Sequence, residues 1–165
     1  MVTPIHKELH RVAITGIIWK KDDVGVVRYL LAKRSPTKKV WPNKWHAPGG
    51  GLEVDDYINS EGSYANTESP QWYNSVEKAL TREIQEEVGL TVIDPRYLLS
   101  VTFIRPDGIP VLVLSFYCKY ESGEIAYDED TVDSAWVTAE EAKSYDLIQG
   151  IDHEIKLVDE RLKSE

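Results

Sequence analysis

Three glutamates, Glu83, Glu86 and Glu87, carry the densest chemistry in the chain. On a helix, their i, i+3, i+4 spacing puts all three carboxylates on one face. Two full charges about 4 Å apart repel by about 4 kcal/mol at a surface-like dielectric of roughly 20. In open water such a run is a solvated acidic face, the common outcome for runs of charge. In a cleft it needs a cation, and hard divalent ions take oxygen ligands of this kind together with substrate phosphates.

The elements that must present these carboxylates flank them. The spacing of Val76, Leu80, Ile84 and Val88 predicts an amphipathic helix over about residues 75–88, ended by Gly89 as the residue after the C-cap. Upstream stands His46-Ala47-Pro48-Gly49-Gly50-Gly51-Leu52-Glu53, a rigid proline followed by three glycines and an acid. Glycine permits close backbone approach, which makes Gly50 and Gly51 candidate substrate contacts.

Together these stretches resemble the signature of the Nudix hydrolase family (MutT-type hydrolases of nucleoside diphosphates linked to another moiety). That signature is G-x5-E-x7-R-E-U-x-E-E-x-G-U, with U a bulky aliphatic. Gly50 fits its first glycine, and Arg82, Glu83, Ile84, Glu86, Glu87, Gly89 and Leu90 fit its second half. The gap from Gly50 to Arg82 is longer than the signature's. Counting back from Arg82 puts Asn74 where the signature has its first Glu, the usual partner of the Arg. The resemblance therefore implies an insertion at about residues 54–73. It predicts that Arg82 turns to another acid, with Glu53 a candidate, while still touching Glu83.

The resemblance implies an α/β (α+β) fold, an α/β/α sandwich around a mixed sheet. It also implies hydrolysis of a diphosphate linkage in a nucleotide, by water attacking phosphorus with Mg²⁺ (or Mn²⁺). Glu83, Glu86 and Glu87 would hold the metal, with the Gly49 carbonyl as a further ligand. Arg82 would orient Glu83, and the candidates for general base are Glu129 and Glu87. A domain of this family that only senses a nucleotide would be marked by loss of a metal carboxylate, and none is lost.

Composition narrows the partners. A formal net charge of −9 gives no basic field to draw a nucleic acid polymer or an anionic membrane. A small nucleotide held through a metal is unaffected. One cysteine, Cys118, excludes an internal disulfide and suits a reducing cytoplasm. It reads as a buried small hydrophobe. No apolar run approaches the ~18 residues of a membrane span, and the N-terminus lacks the apolar core of a signal peptide. The length suits one domain over residues 1–165; a homodimer is an open arrangement.

In chain order, residues 11–20 and 26–33 read as a hairpin around a turn at 21–25. Arg34, with Lys33, Lys38 and Lys39, is the basic concentration of the first half, either a solvated loop or a phosphate contact. Trp41 and Trp45 serve as core or lid, or stack a base. The stretch 54–73 carries Asp55, Asp56, Glu61 and Glu68 with Tyr57, Tyr64, Trp72 and Tyr73, and no Lys or Arg. Such long loops are functional or disordered, and the aromatics predict packing on the body or on a neighbouring subunit. Strand material at 91–92 and 97–104 is interrupted by Asp94-Pro95. Residues 109–120 read as a central strand, and 133–137 as a short one. Thr138 and Glu141 form a capping box, and a last helix spans about 152–163.

Overall fold

The computed structural model describes residues 8–60 and 70–164. Seven strands form one mixed sheet: β1 (Arg11–Lys21), β2 (Val27–Arg34), β3 (Trp45–His46), β4 (Gly49–Gly51), β5 (Thr91–Ile104), β6 (Pro110–Ser122) and β7 (Thr131–Val137). The helices are α1 (Ser75–Val88), α2 (Ala139–Ala142) and α3 (Ile151–Ser164). The strand order is β3-β2-β1-β6-β5, with β4 on β1 and β7 on β2. Strands β1 and β6 run parallel, and every other pairing is antiparallel.

Strand β1 pairs β2 only over residues 19–21, and over residues 13–15 it pairs β4 instead. Strand β2 likewise leaves β1 and takes up β3 at Ala32 and Lys33. The two long strands therefore splay, and the segment Trp45–Gly51 fills the wedge. The Gly16 N–H reaches the Pro48 carbonyl at 2.9 Å to lock it there. The glycine loop is thus built into the sheet.

Side chains alternate across a strand, and two cores result. Ile14, Ile18, Leu30 and Phe116 pack with Leu80, Ile84 and Val88 of α1. On the other face, Ile17, Tyr29, Leu31 and Tyr117 pack with Ile155 and Val158 of α3. This is the expected α/β/α sandwich. Cys118 lies fully buried in the first core, and burial pushes its thiol up to about 12.

The stripe on α1 faces the core as its spacing requires. Gly89 ends the helix with φ 73° and donates its N–H to the Gln85 carbonyl. The Thr138–Glu141 capping box forms as expected. One expectation is corrected: Asp94-Pro95 does not interrupt the strand. Strand β5 runs from Thr91 to Ile104 and absorbs the pair as a bulge, with Asp94 at φ 54° and a register shift between Ile93 and Arg96. Strand β5 is the outer strand beside β6, where a proline without an N–H is tolerated. Arg161 of α3 covers this edge by donating to the Tyr97 and Leu98 carbonyls.

Candidate active site

Helix α1 lays its acidic face along the glycine loop. Gly50 meets Glu83 directly: a Cβ on Gly50 would stand 2.2–2.3 Å from the Glu83 carboxyl atoms. Only glycine leaves room for that carboxylate. The Glu83 pKa is raised, first by burial and then by the charges of Glu86 and Glu87, against the pull of Arg82. A desolvated, anion-crowded carboxylate of this kind is stabilised by a cation.

Arg82 joins four groups. It forks onto both oxygens of Asp56 and reaches Glu83 at 3.0 Å and Glu86 at 2.9 Å. Its Nη2 also lies 3.4 Å from the Gly51 carbonyl. The Asp56 side chain is 3% exposed. Its hydrogen bond to Arg82 holds it below the usual carboxylate range, and the Glu53 N–H donates to it at 2.8 Å. The contact with Glu83 is as expected, but Glu53 as the second partner is corrected. A turn of 3₁₀ helix at Val54–Asp56 carries Asp56, not Glu53, back to the guanidinium. Glu53 remains exposed at the start of that turn.

Counting forward from Gly50 would have found this acid. Five residues separate Gly50 from Asp56, as in the signature, and the first seven residues of α1, 75–81, precede Arg82. On that count the extra length falls on residues 57–74, against the expected span of about 54–73. Its Tyr57 and Trp72 rings pack on each other at 5.3 Å, and the Trp72 indole N–H donates to the Ser60 carbonyl at 3.0 Å. Glu61, Tyr64 and Glu68 lie outside the described residues. Tyr73 is 56% exposed.

Glu87 turns inward and is 7% exposed. The Gly49 N–H donates to its Oε2 at 2.8 Å, and the Thr131 hydroxyl to its Oε1 at 3.2 Å. His46 Nε2 stands 3.0 Å from the same Oε1, without the alignment of a hydrogen bond. Neither Thr131 nor His46 carried a role in the sequence reading. No local pattern points to them, since strand pairing alone brings β3 and β7 to α1.

Arg34 ends β2 opposite Thr131. Its Nε–H donates to the Val40 carbonyl at 3.2 Å. Among the described residues it forms no ion pair. Burial lowers its pKa, opposed by the nearby charges of Glu87 and Asp130 and reinforced by Arg105. A half-buried guanidinium with open donors beside the acidic face suits a phosphate. Lys38 is paired with Asp130 at 2.6 Å, and Lys39 is exposed. Trp45, partly buried, packs edge-on against Tyr145 at 4.9 Å beside the second core. The other loop tryptophan, Trp41, lies against Phe103 at 5.5 Å. Glu129 is exposed in the loop before β7.

Among the described residues, no three His, Cys, Asp or Glu side chains converge as around an ion. Glu86 lies on Arg82, and Glu87 on its hydrogen-bond donors. The donor set still fits a hard divalent cation: only oxygen donors, on one helical face, with Glu83 destabilised as a bare anion by burial.

The NUDIX domain family matches residues 9–158, and the chain belongs to that family. It is a Nudix hydrolase, a class that cleaves diphosphate linkages in nucleotides and generally requires divalent metal ions. A nucleoside triphosphatase NudI from Klebsiella pneumoniae (strain 342) is 34% identical over 129 residues, covering 72% of this chain and 79% of that protein. The MutT protein of Methanosarcina mazei Go1 superposes with a TM-score of 0.69 at 20% identity, over 96% of this chain and 99% of that one. The NUDIX domain of Shewanella oneidensis NrtR, complexed with ADP ribose, superposes with a TM-score of 0.70 at 14% identity, over 94% and 90%. No helix among the described residues is long and apolar enough to cross a membrane.

Proposed function

We propose that this chain hydrolyses nucleoside triphosphates at a diphosphate linkage, using Mg²⁺ or Mn²⁺ held by Glu83, Glu86, Glu87 and the Gly49 carbonyl. The carrying observation is an acidic helix face beside a half-buried Arg34 at the end of β2, which forms no ion pair among the described residues. The substrate class is supported by the name of the Klebsiella relative, a nucleoside triphosphatase.

A divalent ion bound there supplies charge neutralisation for phosphate oxygens and acidifies water. The chain's own groups do the rest. Arg34 binds the polyphosphate, and Gly50 leaves room for the Glu83 carboxylate beside the loop. Arg82, anchored by Asp56, orients Glu83 and Glu86. Both oxygens of Glu87 are already engaged by donors, whereas the Glu129 side chain is open to solvent. Glu129, exposed two residues before Thr131, is therefore our choice of general base, taking the proton of the attacking water as the anhydride P–O bond breaks. Trp45 acts by fixing the loop. A cytoplasmic location fits the one cysteine, buried and reduced.

Hydrolysis of a nucleotide panel with Mg²⁺, Mn²⁺ and chelator tests this. Nucleoside triphosphates should be turned over, and Glu86→Gln should lower kcat by about two orders of magnitude. Full activity in excess chelator would overturn the mechanism. Turnover confined to ADP-ribose-type sugars or dinucleoside polyphosphates would overturn the substrate class.

A further inference from the structure

The structure assigns a role to Thr131: it is a positioning residue that fixes the carboxylate of Glu87 for the metal. This rests on the reading of Glu87 as a ligand. Among the described residues Glu87 has no Lys or Arg ion-pair partner, unlike Glu83 and Glu86, which share Arg82. A buried carboxylate without a cation must be satisfied by hydrogen-bond donors.

Two donors are present. The Gly49 N–H takes Oε2, and the Thr131 hydroxyl takes Oε1. Both are rigidly placed. Gly49 is paired to Thr15 of β1, and Thr131, 3% exposed, is paired to Arg34 of β2. A β-branched side chain is stiff at χ1, so the Thr131 hydroxyl is held on one bearing.

His46 completes the enclosure. Its Nδ1–H donates to the Ala47 carbonyl at 2.7 Å, which sets the ring plane and leaves Nε2 facing Oε1 at 3.0 Å. The carboxylate is thus held at both oxygens by β4 and β7 and walled by β3. Lone pairs not used by these contacts are left in one fixed orientation. Such partners of metal ligands typically contribute 10–100-fold in affinity or activity.

The test is direct Mn²⁺ binding by the whole protein without substrate, measured by calorimetry. Thr131→Val, which keeps the shape and loses the O–H, should weaken Mn²⁺ binding by about tenfold or more. Thr131→Ser should recover most of that loss, with unchanged melting temperatures confirming the fold. In a double-mutant cycle, Thr131→Val should have no further effect once Glu87→Gln is present. Equal weakening by the Ser and Val variants, or additive effects in the cycle, would overturn the assignment. So would wild-type binding by Thr131→Val while Glu87→Gln binds weakly. If Glu87→Gln itself binds Mn²⁺ as the wild type does, the underlying ligand reading fails instead.

Discussion

Asp56 and Arg82, 26 positions apart in sequence, meet as a two-armed ion pair beside the glycine loop. The pair locks a short 3₁₀ turn to the second half of α1. Through the same guanidinium it also orders Glu83 and Glu86. Removing the acid leaves Arg82 free to follow either glutamate. Asp56→Asn should therefore lower kcat by about 10–100-fold and, because a buried two-armed ion pair is lost, lower the melting temperature as well. Arg82→Lys should lose as much, because a point charge cannot fork onto Asp56 and still reach both glutamates. Steady-state kinetics of the two variants check this; wild-type kcat in Asp56→Asn would refute it.

Gly50 and Gly51 make contrasting tests. A methyl at Gly50 collides with the Glu83 carboxylate, whereas one at Gly51 meets only the end of the Arg11 side chain at 2.5 Å. The first displaces a carboxylate held by Arg82, and the second a flexible arm. Gly50→Ala should cut kcat at least about tenfold, and Gly51→Ala clearly less. Equal losses in the two variants would show that the loop backbone, not Glu83, is what the substitution disturbs.

Much of this arrangement was legible in the chain, for local reasons. The Val76–Val88 stripe, the Gly89 stop and the Thr138–Glu141 box each act within a few residues, so their signals survive any tertiary context. Asp94-Pro95 misled because its local preference is for a turn, while the long ladder to β6 decides the outcome. Asp56 was missed because the count was anchored at Arg82 and ran into the insertion. Thr131 and His46 had no local signal at all: their role exists only once β3 and β7 flank β2.

Glu154 gives a test of pH dependence away from the acidic face of α1. It is 6% exposed on α3, and its Oε2 has no hydrogen-bond partner among the described residues. Burial raises its pKa, against a hydrogen bond from Ser115 and the charge of His153. A carboxyl whose folded pKa exceeds its unfolded value of about 4.3 contributes stability that is full below that value. The contribution is lost as pH rises through the folded pKa. Glu154→Gln escapes that loss. Its melting temperature should match wild type near about pH 4, exceed it increasingly as pH rises, and then hold a constant lead. A wild type that gains on the variant with rising pH would mean an ionised, stabilised carboxylate instead.

We propose that the insertion can be excised at a boundary set by the Asp56–Arg82 pair. Joining Asp56 directly to Ser75 restores the seven-residue spacing before Arg82 and keeps the Asp56–Arg82 pair. At its base, Tyr57 packs on Trp72, and Trp72 bonds back to Ser60. Those contacts close the described ends of the segment on one another, so their removal uncovers little of either core. We expect deletion of residues 57–74 to leave a folded hydrolase with Mn²⁺ affinity within about threefold of wild type, the scale of ordinary context effects, and with an altered KM. Deletion of residues 54–73, which also removes Asp56, should lose about 10–100-fold in kcat. Calorimetry and kinetics on the two deletions decide the matter. If both are equally impaired, the segment supports the metal site itself, and the boundary at residue 57 is wrong.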